Sequence, residues 1–321
     1  MKTLSAGETL AKLKELEDVY IFIHRSPDGD CIGGGYALHL LLKDMGIRSR
    51  VCCGDPIPAM YESLTEGVEF EDFPPKCFVS VDVADRGLLG ALNDEYPDCE
   101  IALCIDHHIS NTGYAKENFW SPDASAACEM MFRLLAENRI PLTEQMVRCL
   151  YIGIATDTGC FKFSNAGADA FAAVAEMKRQ FPDLPYAKIN RELFDLKSHG
   201  RIRMDARLME QMRISESGKV ALIYLPAVWM TELSVTKEET DGMANLPMQI
   251  LGVEVGITVK QQENGEYRVS MRAGENADVS AICSHFGGGG HVKAGGCSIY
   301  EGEPEAVCQM LMEVAEAMLD A

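Results

Sequence analysis

The strongest constraint on the fold is a short apolar run with no period-two alternation, Val19-Tyr-Ile-Phe-Ile23. It ends in His24 and the polar, glycine-containing loop Arg25–Gly35, and a helical pattern from Cys31 to Met45 is then stopped by Gly46. A strand with one wet face alternates, whereas a strand covered on both faces, as in a parallel sheet, does not. Further short runs at Ser49–Cys53, Cys77–Val81 and Ile101–Ile105 are separated by helical or turn-rich sequence. Strands alternating with helices predict an α/β fold with an N-terminal parallel sheet. Helical patterns at Ala124–Glu137, Glu144–Ala155 and Ala168–Gln180 complete that part, and Pro182–Pro185 breaks the chain.

The pattern then changes. Residues 186–213 are polar and rich in Arg and Lys, and read as a helical linker between a domain at 1–185 and a smaller one at 214–321. Val220–Leu225 reads as a strand, and two further runs flank Asn264-Gly265, a strong hairpin signal. A helix at Ala277–His285, a strand near Cys297–Tyr300 and a closing helix at Pro304–Leu319 give a second, smaller α/β domain.

Composition narrows function. With 29 Lys plus Arg against 49 Asp plus Glu, the net charge is −20, so tracking along a long nucleic acid by its backbone is excluded as the main mode. A short phosphorylated substrate held by cations and a few basic side chains stays compatible. No apolar stretch reaches the roughly 18 residues of a membrane span, and the acidic N-terminus does not resemble a signal peptide. The 12 cysteines show no Cys-x-x-Cys spacing. Reduced thiols in a cytoplasm are the expectation.

The chemistry concentrates where the apolar runs end. His24, Asp28 and Asp30 follow the first; Asp82, with Asp85 nearby, follows Cys77–Val81; Asp106, His107 and His108 follow Ile101–Ile105; Asp157 follows the apolar helix end Tyr151–Ala155. Each taken alone reads equally as a turn or N-cap residue. Together they suggest a metal centre, because crowded carboxylates become favourable around a divalent cation and the C-terminal edge of a parallel sheet is where ligands bind. The oxygen and imidazole donor set suits Mn²⁺, Fe²⁺ or Zn²⁺ better than Ca²⁺, and the number of ligands implies two cations. Cys31 lies in the same loop, where a small buried residue is favoured over a redox-sensitive thiol. The glycines before His291 fit neither a Walker loop nor a dinucleotide fingerprint. They read either as a flexible turn or as backbone opened to an anion.

These motifs resemble the DHH phosphoesterases with their C-terminal DHHA1 domain. The first motif is His24-Arg-Ser-Pro-Asp28-Gly-Asp30-Cys-Ile-Gly33; the second is Asp82, the third the Asp-His-His triplet Asp106–His108, and the fourth Gly153–Phe161. In the C-terminal part, Ser270–Arg272 and Gly287–Gly296 fill the places of that domain's arginine and glycine-rich, histidine-ended loop. Ser26, Cys31, Gly34 and Gly295 depart from the common pattern without removing a metal ligand.

The resemblance implies one cation held by His24, Asp28 and Asp82 and a second held by Asp30, Asp82, His107 and Asp157, with Mn²⁺ the expected ion. It further implies that Asp82 bridges, that His108 touches the phosphate, and that Asp106 orients an imidazole. Arg272, Gly288, Gly289, Gly290 and His291 are the implied phosphate-binding residues, and the active site is expected between the two domains. The implied activity is hydrolysis of very short RNA, about two to five nucleotides, and of 3′-phosphoadenosine 5′-phosphate. The alternative is a stand-alone cyclic dinucleotide phosphodiesterase acting on cyclic di-AMP or its linear product. The sequence leaves oligomeric state open.

Overall fold

The computed structural model describes residues 2–240 and 242–319. The chain divides into two compact units, Met1–Leu196 and Lys197–Ala321.

The first unit is built on a parallel sheet. Its strands are β1 (Val19–Phe22), β2 (Ser49–Cys52), β3 (Cys77–Val81), β4 (Ile101–Asp106) and β5 (Glu117–Trp120), in the order β2-β1-β3-β4-β5. All four pairings are parallel. The missing alternation in β1 has the expected cause. Val19, Ile21 and Ile23 join the large core on one face, while Tyr20 and Phe22 join a second cluster on the other, with Val83, Leu89 and Leu92. β5 was not foreseen: it is four residues long, begins Glu117-Asn118, and lies at the edge of the sheet.

The chain leaves β1 toward β2 on one side and returns to β3 on the other, so the strand order reverses between β1 and β3. His24 follows one of these strands and Asp82 the other. A crevice at such a reversal is the usual ligand position in this architecture. Three of the helices on the larger core are Gly29–Asp44, Ala127–Glu137 and Glu144–Asp157. The first and third come very close. A Cβ on Gly33 would lie 2.4 Å from the Cys149 carbonyl oxygen, so any side chain there would force the helices apart.

Helical structure continues through Tyr186–Asn190 and a π-helical turn at Arg191–Asp195. The helix His199–Glu210 belongs to the second unit, where Met204 and Leu208 pack with Ile223 and Leu225. This unit holds a mixed sheet of β6 (Arg213–Ile214), β7 (Val220–Leu225), β8 (Val255–Gln261), β9 (Tyr267–Ala273), β10 (Gly289–His291) and β11 (Ala294–Ile299). Their order is β10-β11-β9-β8-β7-β6, and only β7 and β8 run parallel. β8 and β9 form the hairpin expected around Asn264-Gly265, with Gly265 at φ 86°. The glycine-rich segment is not a free loop: Gly289–His291 pairs antiparallel with Ala294–Gly296. Among the described residues, no helix is long and apolar enough to cross a membrane.

Candidate metal centre

All six predicted metal ligands belong to the first unit, and the structure brings them together around Asp82. His24 Nε2 lies 3.5 Å from Asp82 Oδ2 and 3.6 Å from Asp28 Oδ1. His107 Nε2 lies 3.4 Å from Asp82 Oδ1, 3.4 Å from Asp157 Oδ2 and 3.9 Å from Asp30 Oδ2. These gaps are long for hydrogen bonds. They suit donors sharing a cation, because bonds of about 2.0–2.2 Å set neighbouring ligand atoms roughly 3–3.5 Å apart.

Asp28 and Asp30 are held by backbone N–H groups rather than by other side chains of the cluster. Asp28 caps the helix Gly29–Asp44, accepting from the backbone N–H groups of Asp30 and Cys31, so the capping and metal-binding readings are compatible. Asp30 is buried and reaches the N-terminus of another helix, where Oδ2 accepts from Ala127 N at 2.6 Å and Oδ1 from Cys128 N at 2.9 Å. That helix has no side-chain cap of its own at Ala126, and the distant carboxylate supplies it. Each Asp30 oxygen keeps a further lone pair. Asp157 ends the helix Glu144–Asp157, two residues beyond the predicted end.

Asp82 has φ +60°, a left-handed conformation that is costly outside glycine and persists where the surroundings over-determine it. The residue is 2% exposed, and its Oδ1 has no hydrogen-bond partner. A buried, unsatisfied carboxylate oxygen is expensive in a protein interior. A divalent cation would satisfy it, and the donor set therefore fits the predicted metal.

The two ligand histidines are fixed in the same way. His24 Nδ1 donates to the Arg25 carbonyl at 2.8 Å and His107 Nδ1 to the Ala124 carbonyl at 3.1 Å, so each turns Nε2 to the cluster. His108 differs. Its Nδ1 donates to Asp106 Oδ1 at 2.8 Å, which removes that nitrogen as a ligand, and its side chain is 39% exposed. Asp106, fully buried, thus orients His108, and its other oxygen accepts from Asn111 Nδ2. Trp120 Nε1 donates to the His108 carbonyl at 2.8 Å. Asn111, Trp120 and the Ala124 carbonyl had no sequence signal; they are visible only once β4 and β5 are side by side.

The electrostatics follow from crowding. Burial lifts the Asp157 carboxyl to about 7, with Asp82 and Asp28 adding to the rise and His107 opposing it. Burial, Asp82 and Asp157 push Asp30 well above the carboxylate range. Burial opposes the charge on His107, but Asp82, Asp30 and Asp157 raise it to about 10. Asp82 goes the other way, since contacts with His107 and His24 outweigh its burial and hold it below the usual range. Protons here offset excess negative charge, the task that cations perform in a metal site. Cys31 is fully buried and burial pushes its thiol up, which opposes the reactive-thiolate reading.

The remaining predicted residues lie in the second unit. Ala294 of β11 pairs with Arg272 on one side and His291 on the other. Arg272 and His291 therefore stand in one cross-strand row on one face, about 9–10 Å apart. The next row on that face is Ser270, Gly296 and Gly289. A Cβ on Gly289 would meet nothing within 4 Å, whereas one on Gly288 would meet the Gly296 carbonyl oxygen at 2.2 Å. Packing demands glycine at 288; at 289 the space is open.

Comparison with known families agrees with this geometry. The DHH family N-terminal domain matches residues 18–154, and the DHHA1 domain matches residues 218–319. The chain belongs to the DHH phosphoesterase family. Among DHH proteins, the Bifunctional oligoribonuclease and PAP phosphatase NrnA of Thermus thermophilus is 26% identical over 296 residues, covering 89% of this chain and 86% of that protein. Its Bacillus subtilis namesake is 22% identical over 299 residues, covering 91% and 93%. The crystal structure of an exopolyphosphatase-related protein from Bacteroides fragilis has a TM-score of 0.87 at 20% identity, covering 98% of this chain and 96% of that one. That likeness concerns the fold.

Proposed function

We propose that this DHH phosphoesterase hydrolyses very short oligoribonucleotides and removes the 3′-phosphate of 3′-phosphoadenosine 5′-phosphate. The observation that carries the reading is the gathering of His24, Asp28, Asp30, His107 and Asp157 around buried Asp82, whose Oδ1 has no hydrogen-bond partner. The substrate class rests on relatives matched over nearly their whole length.

In this reading His24, Asp28 and Asp82 hold one divalent cation and Asp30, Asp82, His107 and Asp157 the other, with Mn²⁺ the ion of choice. Two such cations lower the pKa of water and stabilise charge during in-line displacement at phosphorus. Asp106 takes the Nδ1–H of His108 and favours the protonated imidazole, whose Nε2–H can then donate to a phosphate oxygen. Arg272 anchors a terminal phosphate with its planar fork, and Gly289 leaves the backbone accessible beside it. The chain acts in the cytoplasm on small substrates rather than along a polymer.

The test is initial rates with added Mn²⁺ on 3′-phosphoadenosine 5′-phosphate, a 5′-phosphorylated RNA dinucleotide, a five-residue RNA, cyclic di-AMP and pyrophosphate. Fastest turnover on the first two is expected. Cyclic di-AMP as the best substrate would replace the substrate assignment with the cyclic dinucleotide alternative.

A further inference from the structure

Directly after Asp157 the chain passes through three consecutive residues of positive φ: Gly159 at 55°, Cys160 at 56° and Phe161 at 64°. Glycine takes that conformation freely, but cysteine and phenylalanine do so only where surrounding bonds impose it. Those bonds are present. Cys160 N donates to the Ala155 carbonyl at 2.7 Å, Lys162 N and Phe163 N both donate to the Thr158 carbonyl at 3.0 Å, and Phe161 N donates to Thr158 Oγ1 at 3.1 Å. Asn165 Nδ2 donates to the Asp157 carbonyl at 3.1 Å, tying the far end of the loop to the ligand residue itself.

This rigid turn displays Phe161-Lys162-Phe163. Phe163 is 53% exposed, as is Phe171 on the next helix, and the Phe161 and Phe171 rings lie 5.1 Å apart. A Cβ built on Gly159 would lie 2.4 Å from Phe163 Cζ and 2.6 Å from both Cε atoms. Distances so short and so nearly equal place the glycine over the face of the ring, not at its edge. One face of Phe163 is closed by Gly159, and the other accounts for its exposure. Single exposed apolar side chains are ordinary. A ring held flat on a strained turn, with an exposed lysine before it, six residues after the metal-type ligand Asp157, needs a reason. Nucleobases stack on such rings whatever their sequence, and a neighbouring cation suits the phosphate backbone.

We propose that the open face of Phe163 is a stacking surface for the nucleobase next to the scissile phosphate. This deepens the proposed function and rests on its substrate class.

The test compares the wild type with Phe163→Leu and Phe163→Tyr. One readout is the ratio of kcat/KM on 3′-phosphoadenosine 5′-phosphate to that on the same bisphosphate lacking the base. The second is quenching of 2-aminopurine fluorescence in a 5′-phosphorylated dinucleotide with a non-hydrolysable linkage, in the presence of Mn²⁺. The wild type and Phe163→Tyr are expected to prefer the base-bearing substrate by about 10-fold or more and to quench the probe, and Phe163→Leu to lose roughly that preference and the quenching. A ratio and quenching unchanged in Phe163→Leu would overturn the proposal. Quenching that depends on Phe163 in a protein unable to hydrolyse either substrate would sink the assigned activity while supporting the stacking surface.

Discussion

At the C-terminal edge of the parallel sheet, Asp30, Asp82 and Asp106 are almost wholly buried; Asp30 is held by the distant N–H groups of Ala127 and Cys128, and Asp106 by His108 and Asn111 of its own loop. Along the β10–β11 hairpin the opposite device operates: Gly288, Gly289, Gly290, Gly295 and Gly296 carry no side chains, and geometry is set by strand pairing and close backbone packing. The first region gathers charge and must be over-determined by packing to tolerate it. The second removes bulk and depends on local backbone conformation. Substitutions should therefore act in different ways in the two regions, through placement of side chains in one and through space in the other.

The largest effect is expected where packing places a ligand. A Cβ on Gly153 would lie 2.2 Å from Cys128 Sγ and 2.8 Å from Asp30 Oδ1. Gly153→Ala should cost on the order of 100-fold in kcat, since misplacing a reacting group by about 1 Å does so. Adding Cys128→Ala should return only part of the loss, because the Cys128 Cβ would still lie 2.8 Å away. Wild-type turnover in Gly153→Ala would mean that the cluster does not depend on this close approach.

The charge stored in the first region should appear as a pH dependence of the metal-free protein. Asp157 sits at about 7 in the folded state against about 3.9 unfolded. The folded protein binds the extra proton, so this stabilisation is complete below about pH 4 and is lost as pH rises through 7. His107, at about 10 folded and about 6.5 unfolded, acts in the same direction, and its part is lost as pH rises through 10. Thermal unfolding with chelator present should show stability falling from pH 5 to pH 9. Asp157→Asn should flatten the lower part of that fall, by at most about 4 kcal/mol. A stability that rises over this range would contradict the assignment.

The smallest effects distinguish two adjacent glycines. Gly290 has φ +145°, and a Cβ there would meet the Ala294 carbonyl oxygen at 2.5 Å. Gly290→Ala should destabilise by about 1–3 kcal/mol. Gly289→Ala should leave stability within about 0.5 kcal/mol while raising KM for phosphorylated substrates. Equal unfolding temperatures for the two variants would erase the contrast between packing glycine and open glycine.

Much of the first region was legible in the sequence because its ligands follow apolar runs, and a parallel sheet aligns the ends of such runs. Strand positions for β1, β2, β3 and β4 followed from the same pattern. The supporting contacts were not legible. Nothing near Asp30 announces that it caps a helix beginning at Ala127, because that contact depends on tertiary packing, and the Asp106–Asn111 contact lies within one loop that carries no periodic pattern to read. Asp106 was expected to orient an imidazole, and the one it holds belongs to His108, while His107 is fixed by the Ala124 carbonyl. β5 escaped because four residues beginning Glu117-Asn118 carry too little apolar signal. In the second region the run of glycines suggested either a turn or an anion site, and β-pairing of Gly289–His291 was hidden because glycine carries no pattern to read.

The central claim is that Asp82 organises two cations. Calorimetric titration of Mn²⁺ into chelator-treated protein, with turnover measured in parallel for the wild type and Asp82→Ala, tests it most directly. The account predicts two cations per wild-type chain with activity appearing as they bind, and for Asp82→Ala at most one cation and a loss of roughly 10³-fold in kcat. Two cations and near-normal turnover in Asp82→Ala, or hydrolysis by the wild type that persists in chelator, would contradict it.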